Sequence, residues 1–126
     1  KSLQNLRGYL KMTTPLKNAV KTIVRVAKPD KIILFGSSAA GKQKEGSDFD
    51  LLVLKKNLKN QRRLVQSIYL NFGSIGAPVD VLALDSERFE ILKGDPDLIY
   101  HDAYKNGKVV YERPLKNKRL AEKGKK

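Results

Sequence analysis

The chain has no cysteine, no tryptophan, a single histidine, and no apolar run longer than a few residues. The missing cysteines exclude disulfides and zinc sites with Cys ligands, a composition that fits a reducing compartment. A transmembrane helix needs about twenty consecutive apolar residues, and a signal peptide needs an apolar core near the N-terminus. The sequence has neither, so we expect a soluble, cytoplasmic protein. Its 126 residues suffice for one buried core, which predicts one domain.

Acidic residues are also scarce, with 13 Asp and Glu against 26 Lys and Arg and a net charge of +13. Residues 1–30 carry seven basic residues against one acid, and 113–126 carry seven against one. Residues 31–112 carry twelve against eleven. The excess charge therefore sits at the two ends of the sequence. We interpret it as a solvated face and tail, with binding to nucleic acid or an acidic partner as the less favoured alternative.

Hydrophobic spacing predicts an α/β chain of the α+β type, in which helices flank a small mixed β-sheet. The gap 37–47 is too short for a full parallel crossover between the first two strands, which favours the mixed sheet. The predicted strands are 31–35, 48–55, 79–84 and 108–111; the predicted helices are 2–12, 14–28, 57–71, 86–93 and 96–106. Asp95 or its neighbour is the expected cap of the last helix, and Gly107 is its expected end.

The helix predicted before the first strand is amphipathic. Thr13 and Thr14 before Pro15 are typical of a helix start, and Pro29 would end the helix. Apolar residues recur on one side at helical spacing, which predicts packing on the sheet. Another side carries a basic stripe that we expect to face solvent, namely Lys17, Lys21, Arg25 and Lys28.

The stretch from Lys31 to Lys55 is the best candidate for a functional site. An apolar strand runs into Gly36-Ser37 and a loop of small residues, and Asp48-Phe49-Asp50 then opens a second apolar strand. Alternation along a strand puts Asp48 and Asp50 on the same face, where two like charges favour a bound cation. Carboxylate oxygens suit Mg²⁺, and a Gly-rich turn lets backbone N–H groups approach a phosphate. The pattern therefore predicts a nucleotide site.

A P-loop is the first alternative, because residues 36–42 match all but the last place of its signature. That last place is Gln43, which lacks the hydroxyl that Ser or Thr offers to Mg²⁺. The Asp that follows a later apolar strand, Asp85, is expected to cap the next helix rather than to make the second metal contact. We therefore set the P-loop aside.

The sequence resembles the minimal nucleotidyltransferases of the DNA polymerase β-like superfamily. The resemblance rests on Gly36-Ser37, a ten-residue gap, and the pair Asp48 and Asp50 preceded by Ser47. It extends over about residues 15–113 and includes Val79-Asp80-Val81 and the segment 107–112. The combination is fairly specific, whereas each piece alone would be weak.

The resemblance implies a Mg²⁺-dependent enzyme that transfers a nucleoside monophosphate from an NTP, with ATP expected, to an acceptor hydroxyl. It implies that Asp48 and Asp50 hold the metal and that Asp80 completes the metal and catalytic set. The nucleotide-binding residues it implies are Gly36, Ser37 and Ser47. Similar proteins are antitoxins paired with a helical HEPN toxin, which would make the acceptor a tyrosine of that partner.

Two departures keep an alternative open. Many relatives have arginines where this chain has Ser38 and Ala40, so a non-catalytic antitoxin that neutralises its partner by binding alone is the second hypothesis. A nucleic-acid-binding protein that uses its basic ends is the third. The expected organisation is an N-terminal extension (1–13), a nucleotidyltransferase domain (14–113) and a basic, disordered tail (114–126).

Overall fold

The computed structural model describes residues 12–36, 39 and 48–114. Within these residues the chain forms four helices and four strands. In chain order they are α1 (Thr14–Ala27), β1 (Lys31–Phe35), β2 (Phe49–Lys55), α2 (Gln61–Asn71), β3 (Val79–Asp85), α3 (Ser86–Leu92), α4 (Ile99–Asn106) and β4 (Lys108–Glu112).

The four strands form one sheet in the order β3-β2-β1-β4. β1 pairs antiparallel with both β2 and β4, and β2 pairs parallel with β3. The parallel pair is connected through α2, which gives the chain enough length for a crossover. The prediction of a mixed sheet flanked by helices is therefore confirmed.

Helices cover both faces of the sheet, because the central strands alternate buried residues between two layers. Ile32, Leu51 and Val53 pack against α1 and α2 on one face. Leu52 and Leu54 pack against α3 and α4 on the other. Burial on both faces explains why β2 reads as a continuous apolar run.

The predicted amphipathic helix is α1, and its apolar side is buried as expected. Pro15 lies in its first turn, but the Thr13 side chain makes no capping hydrogen bond. The helix ends at Ala27, and Lys28 takes a left-handed conformation with φ of 48°. A left-handed residue, one position before the expected stop at Pro29, closes the helix.

Two helix starts differ from the predictions. α2 begins at Gln61 rather than near Asn57, because Asn57 is left-handed and the Asn60 side chain accepts a hydrogen bond from the backbone N–H of Arg63. α4 begins at Ile99 rather than at Pro96. The Asp95 carboxylate accepts a hydrogen bond from Asp97 N at 2.9 Å, which forms a turn instead of a helix cap.

The predicted N-cap Asp85 is confirmed at the start of α3. Its carboxylate accepts hydrogen bonds from the backbone N–H groups of Glu87 and Arg88, and one from Leu58 before α2. Although desolvation acts against them, these bonds lower the pKa of Asp85. One carboxylate therefore fixes the end of β3 to both flanking helices.

Gly107 ends α4 as predicted, but for a different reason. Its φ is −76°, so it does not supply the left-handed conformation of a C-cap glycine. A Cβ at this position would overlap the carbonyl oxygen of Ala103 and the side chain of Ile33. The glycine is needed because α4 and β1 approach its backbone closely.

β3 lies at one edge of the sheet, and α2 covers that edge. The Tyr69 hydroxyl accepts a hydrogen bond from Val81 N at 2.8 Å. The side-chain amide of Gln61 donates to the carbonyl of Ala83 at 2.9 Å. One outward-facing N–H group and one outward-facing carbonyl of β3 are thus paired with α2, which hinders addition of another strand there.

Several predicted segments lie outside the described residues: the helix at 2–12 except for Met12, most of the loop at 37–47, and the tail beyond Pro114. None of the helices in the described ranges is long and apolar enough to cross a membrane.

Candidate active site

The structure brings Asp50 and Asp80 together at one end of the sheet. Asp50 is the second residue of β2, Asp80 is the second residue of β3, and the two are direct partners in the parallel register. Neighbouring strands lie about 4.8 Å apart, and partners in register point to the same face. That face is the α3–α4 side, because Leu52 and Leu54 at alternate positions pack there.

The two carboxylates interact directly. Partial burial raises the pKa of Asp50 above its ordinary value of 3.8, and the charges of Asp80 and then Asp48 raise it further. A hydrogen bond between the Asp50 and Asp80 side chains acts in the same direction, since it requires one of the two carboxyls to carry a proton. The pair is therefore electrostatically strained when both groups are ionised.

Asp48 is exposed and lies one residue before β2, so the strand starts at Phe49 rather than at Asp48 as predicted. Its charge still reaches Asp50. Phe49 is 1% exposed and packs in the α1–α2 layer, on the opposite face. Because the Phe49 ring is buried in this layer, it holds the backbone between Asp48 and Asp50 in place.

Gly36 positions the end of β1 against this site. Its φ is +77°, which is favourable for glycine and unfavourable for other residues. A Cβ here would overlap the carboxylate of Asp50. The glycine therefore serves two purposes: it turns the chain after Phe35, and it leaves room for a carboxylate against the backbone.

The donor set of this site fits a hard divalent cation. Among residues 12–36, 39 and 48–114, no three His, Cys, Asp or Glu side chains are grouped so that they could hold a metal together. The contacting pair, Asp50 and Asp80, meets the need of Mg²⁺, which commonly takes one or two carboxylates together with substrate phosphates. A cation between them would also remove the repulsion that raises the pKa of Asp50.

Two connected clefts extend from the carboxylates along the β3 edge. The first, of about 310 Å³, is lined by Phe35, Asp50, Tyr69, Asp80, Leu82 and Ile99 among others. The second, of about 510 Å³, shares Tyr69 and Leu82 with it and continues to Arg62 and Tyr100. An apolar groove therefore leads directly to the two aspartates.

Three of the residues predicted for this site, Gly36, Asp50 and Asp80, lie together, with Asp48 beside them. Ser37 and Ser47 lie outside the described residues. Sequence reasoning missed Tyr69, whose ring lines both clefts and whose hydroxyl holds the backbone next to Asp80. Its position in the helix predicted at 57–71 gave no sign of this role, because residues near Tyr69 in sequence do not reveal its contact with β3.

The sequence profile described as "Polymerase beta, Nucleotidyltransferase" matches residues 17–116. The chain belongs to the polymerase β nucleotidyltransferase family. The family predicted from the Gly-Ser and paired-Asp pattern is thereby confirmed. No curated protein matches this chain at a significant level.

Three solved structures are similar to this chain, and the first two share its fold. A candidate nucleotidyltransferase from Sulfolobus solfataricus is 19% identical over 86% of this chain and 87% of that chain, with a TM-score of 0.58. A toxin–antitoxin with AMP-PNP is 23% identical over 84% and 81%, with a TM-score of 0.50. A variant of the toxin–antitoxin MntA-HpeT is 22% identical over 84% and 81%, with a TM-score of 0.48.

The raised pKa of Asp50 predicts that the difference in stability between the wild type and its Asp50→Asn variant depends on pH. Without metal, ionised Asp50 disfavours the folded state. As pH rises from about 3.8 through the raised pKa, the wild type should therefore lose free energy of unfolding relative to the variant, and the difference should then level off. Urea unfolding in EDTA at several pH values measures it. A difference that is independent of pH, or that changes in the wild type's favour as pH rises, would contradict the account.

Gly36→Ala should lower both the stability of the folded protein and its affinity for Mg²⁺. A non-glycine residue in the left-handed region costs about 1–2 kcal/mol, and the new methyl group must also displace the Asp50 carboxylate. We expect the affinity for Mg²⁺ to fall about 10-fold. Urea unfolding and Mg²⁺ titration check this, with Gly73→Ala as the control, because nothing lies within 4 Å of a Cβ at Gly73. Equal effects of the two substitutions would refute the role given to Gly36.

Proposed function

We propose that this chain is a Mg²⁺-dependent nucleotidyltransferase that transfers a nucleoside monophosphate, with ATP as the expected donor, to a hydroxyl of a protein partner. The observation that carries the proposal is the direct contact of Asp50 and Asp80 on parallel strands beside Gly36. Membership of the polymerase β nucleotidyltransferase family supports the reaction class. The fold shared with a toxin–antitoxin crystallised with AMP-PNP supports a nucleotide as donor and a toxin as partner.

Asp50 and Asp80 are the proposed metal-binding pair, and Asp48 is the proposed third ligand. Among the described residues these three are not grouped closely enough to hold a metal together, so Asp48 would have to move toward the pair when Mg²⁺ binds. When bound, Mg²⁺ would neutralise the phosphate charge and favour ionisation of the attacking hydroxyl. Gly36, Ser37 and Ser47 are the proposed nucleotide-binding residues. Gly36 leaves its backbone open to the site, and Ser37 would contribute its amide and hydroxyl to the phosphates.

Asp80 is the proposed general base. It is exposed at the edge of the sheet and lines the cleft that an acceptor would enter. The acceptor oxygen would bond to the α-phosphorus of the nucleotide while its proton passes to the Asp80 carboxylate. The bond between the α-phosphorus and the bridging oxygen would break, and pyrophosphate would leave.

The proposed acceptor is a tyrosine of a HEPN-type helical toxin. The apolar groove along β3 has room for an aromatic side chain, since Tyr69, Leu82 and Ile99 line it next to the aspartates. The proposed transferase domain spans residues 14–113, preceded by an extension (1–13) and followed by a basic tail (114–126). We place the reaction in the cytoplasm, the compartment expected from the absence of cysteine.

The test follows the position of a radioactive phosphate. The protein, Mg²⁺ and a co-purified partner are incubated with ATP labelled at either the α- or the γ-phosphate. Nucleotidyl transfer predicts that α-label becomes attached to the partner and that γ-label appears as pyrophosphate. Attachment of γ-label instead would indicate a kinase.

A partner that is neutralised without taking up either label would support the second candidate, neutralisation by binding alone. Loss of the arginines that many relatives carry at positions 38 and 40 favours that candidate. The Asp80→Asn variant separates the two. Neutralisation by transfer should disappear in this variant, whereas neutralisation by binding should persist.

A further inference from the structure

The helices of one layer contain no acidic residue. From Met12 to Pro29, and from Lys56 to Val79, the sequence has neither Asp nor Glu. The first range includes α1 and the second includes α2, and both helices pack on the same face of the sheet. This face therefore carries basic residues without acidic neighbours on its own helices.

Six basic residues of this layer have exposed side chains, and we call them the basic face: Lys21, Arg25 and Lys28 on α1, and Lys59, Arg62 and Arg63 at the start of α2. In the part of the chain that the structure describes, no ion pair involves any of the six. Their positive charges are therefore available to an external anion.

Most of these residues lie at the same end of the layer. α1 ends next to the end of β2, because the Lys55 ammonium group donates a hydrogen bond to the carbonyl of Ala27 at 2.8 Å. α2 begins just after β2, so its first turn is at this end too. The last turn of α1 and the first turn of α2 therefore combine their charges.

The carboxylates at this end are already engaged. Asp30 accepts hydrogen bonds from Lys56 N at 2.6 Å and from the Ser86 hydroxyl at 3.1 Å, and lies 3.7 Å from Arg113. Asp85 accepts backbone N–H groups at the starts of two helices. Both groups hold the fold together, and neither forms an ion pair with a residue of the basic face.

The opposite layer has the opposite charge balance. Residues 86–107, which include α3 and α4, carry five acids against three Lys or Arg. The two helical layers that the sheet separates therefore differ in charge: the α1–α2 layer is basic and the α3–α4 layer is acidic. Asp50 and Asp80 point into the acidic layer, about 16 Å along β2 from the basic end. Arg62 of the basic face also lines the second cleft, so the test below changes Arg25 and Arg63 instead.

We propose that the basic face binds the phosphate backbone of nucleic acid. From Lys21 to Lys28, the α1 part of the basic face extends about 11 Å, which is the length of about three phosphates of one strand, and the start of α2 adds further basic residues. Protein interfaces are depleted in Lys and have an apolar centre, whereas nucleic-acid interfaces are strongly basic. The apolar side of α1 is buried against the sheet, so it has none to insert into a membrane.

The contacts should be mainly to phosphates, which receive most of the hydrogen bonds from Lys and Arg, and the six residues contain no aromatic ring on which a base could stack. The surface should accordingly bind with little sequence preference and a strong dependence on salt. With four single-strand phosphate contacts, raising salt from 50 to 200 mM should weaken binding about 50-fold.

The test measures binding of a fluorescent 20-nucleotide RNA to the full chain by anisotropy, with single- and double-stranded DNA of the same sequence in parallel. Arg25→Glu with Arg63→Glu should weaken RNA binding at least 10-fold. The matched control is Arg88→Glu with Lys105→Glu, which makes the same charge change at the first turn of α3 and the last turn of α4. We expect less than a 2-fold effect from the control, and equal melting temperatures would show that both variants fold.

Three outcomes would overturn the proposal: no binding of any nucleic acid at 50 mM salt, equal weakening by the two double variants, or displacement of RNA by polyglutamate at equal charge concentration. The last would assign the surface to an acidic protein. Comparison of the RNA and DNA arms identifies which nucleic acid is bound. Asp50→Asn should leave RNA binding unchanged, so this proposal and the proposed transferase activity can fail separately.

Discussion

Asp50→Asn is expected to lower nucleotidyl transfer about 1,000-fold or more and, in metal-free buffer at neutral pH, to raise the melting temperature. The loss of activity follows from the contact of Asp50 with Asp80. An amide cannot supply the negative charge that holds a divalent cation, and metal stabilisation of the transition state is worth several kcal/mol, or about three powers of ten in rate.

The gain in stability has the same origin. At neutral pH, without metal, ionised Asp50 is partly buried and close to the charges of Asp80 and Asp48. Asn has a similar shape and no charge, so it removes both penalties. With Mg²⁺, the wild type should instead have the higher melting temperature, because Mg²⁺ binds the folded wild type and stabilises it by mass action.

Asp97→Asn is the matched control, since Asp97 is exposed and lies in the turn before α4, away from the clefts. It should change neither transfer nor the response of the melting temperature to Mg²⁺. If Asp50→Asn retained transfer, or lowered the melting temperature in EDTA, the assignment of this residue would be wrong.

Gly107→Ala should destabilise the protein by about 3 kcal/mol, at the upper end of the range for overpacking a tight site. The new Cβ would overlap the Ala103 carbonyl and the Ile33 side chain, and would lie 3.1 Å from the carbonyl oxygen of Leu34. Backbone carbonyls cannot move away as a side chain can. For a domain of this size, the melting temperature should fall by about 15 °C.

Gly94→Ala provides the comparison, because nothing lies within 4 Å of a Cβ at Gly94. Its effect should stay within about 0.5 kcal/mol. Thermal unfolding of the two variants measures the difference. A small effect at Gly107 would mean that α4 and β1 are not packed as closely as the structure has them.

The parts of the fold that follow from local patterns could be predicted. Helix α1 was predictable because its apolar residues follow the helical period, and the mixed sheet was predictable because the loop 37–47 is short. The Asp85 cap followed from a side chain that competes for backbone N–H groups. Each of these depends on residues close together in sequence.

The features that depend on packing could not be predicted from local patterns. Only the family resemblance placed Asp80 with Asp50, because their contact depends on the register of two strands joined through α2 and nothing near either residue specifies it. The sequence indicated that Gly107 ends a helix, whereas the structure shows that a glycine is needed there because β1 lies too close for a side chain. The division of charge between two layers was hidden, because a count along the sequence mixes the two faces of the sheet.

The most direct test of the central claim is calorimetric titration of ATP into the protein with Mg²⁺ and with EDTA, repeated with the Asp50→Asn, Asp80→Asn double variant. The account predicts binding that requires Mg²⁺ and that the double variant loses while it remains folded. ATP binding that is equally strong in EDTA, or that the double variant retains, would show that the nucleotide site is not at these carboxylates.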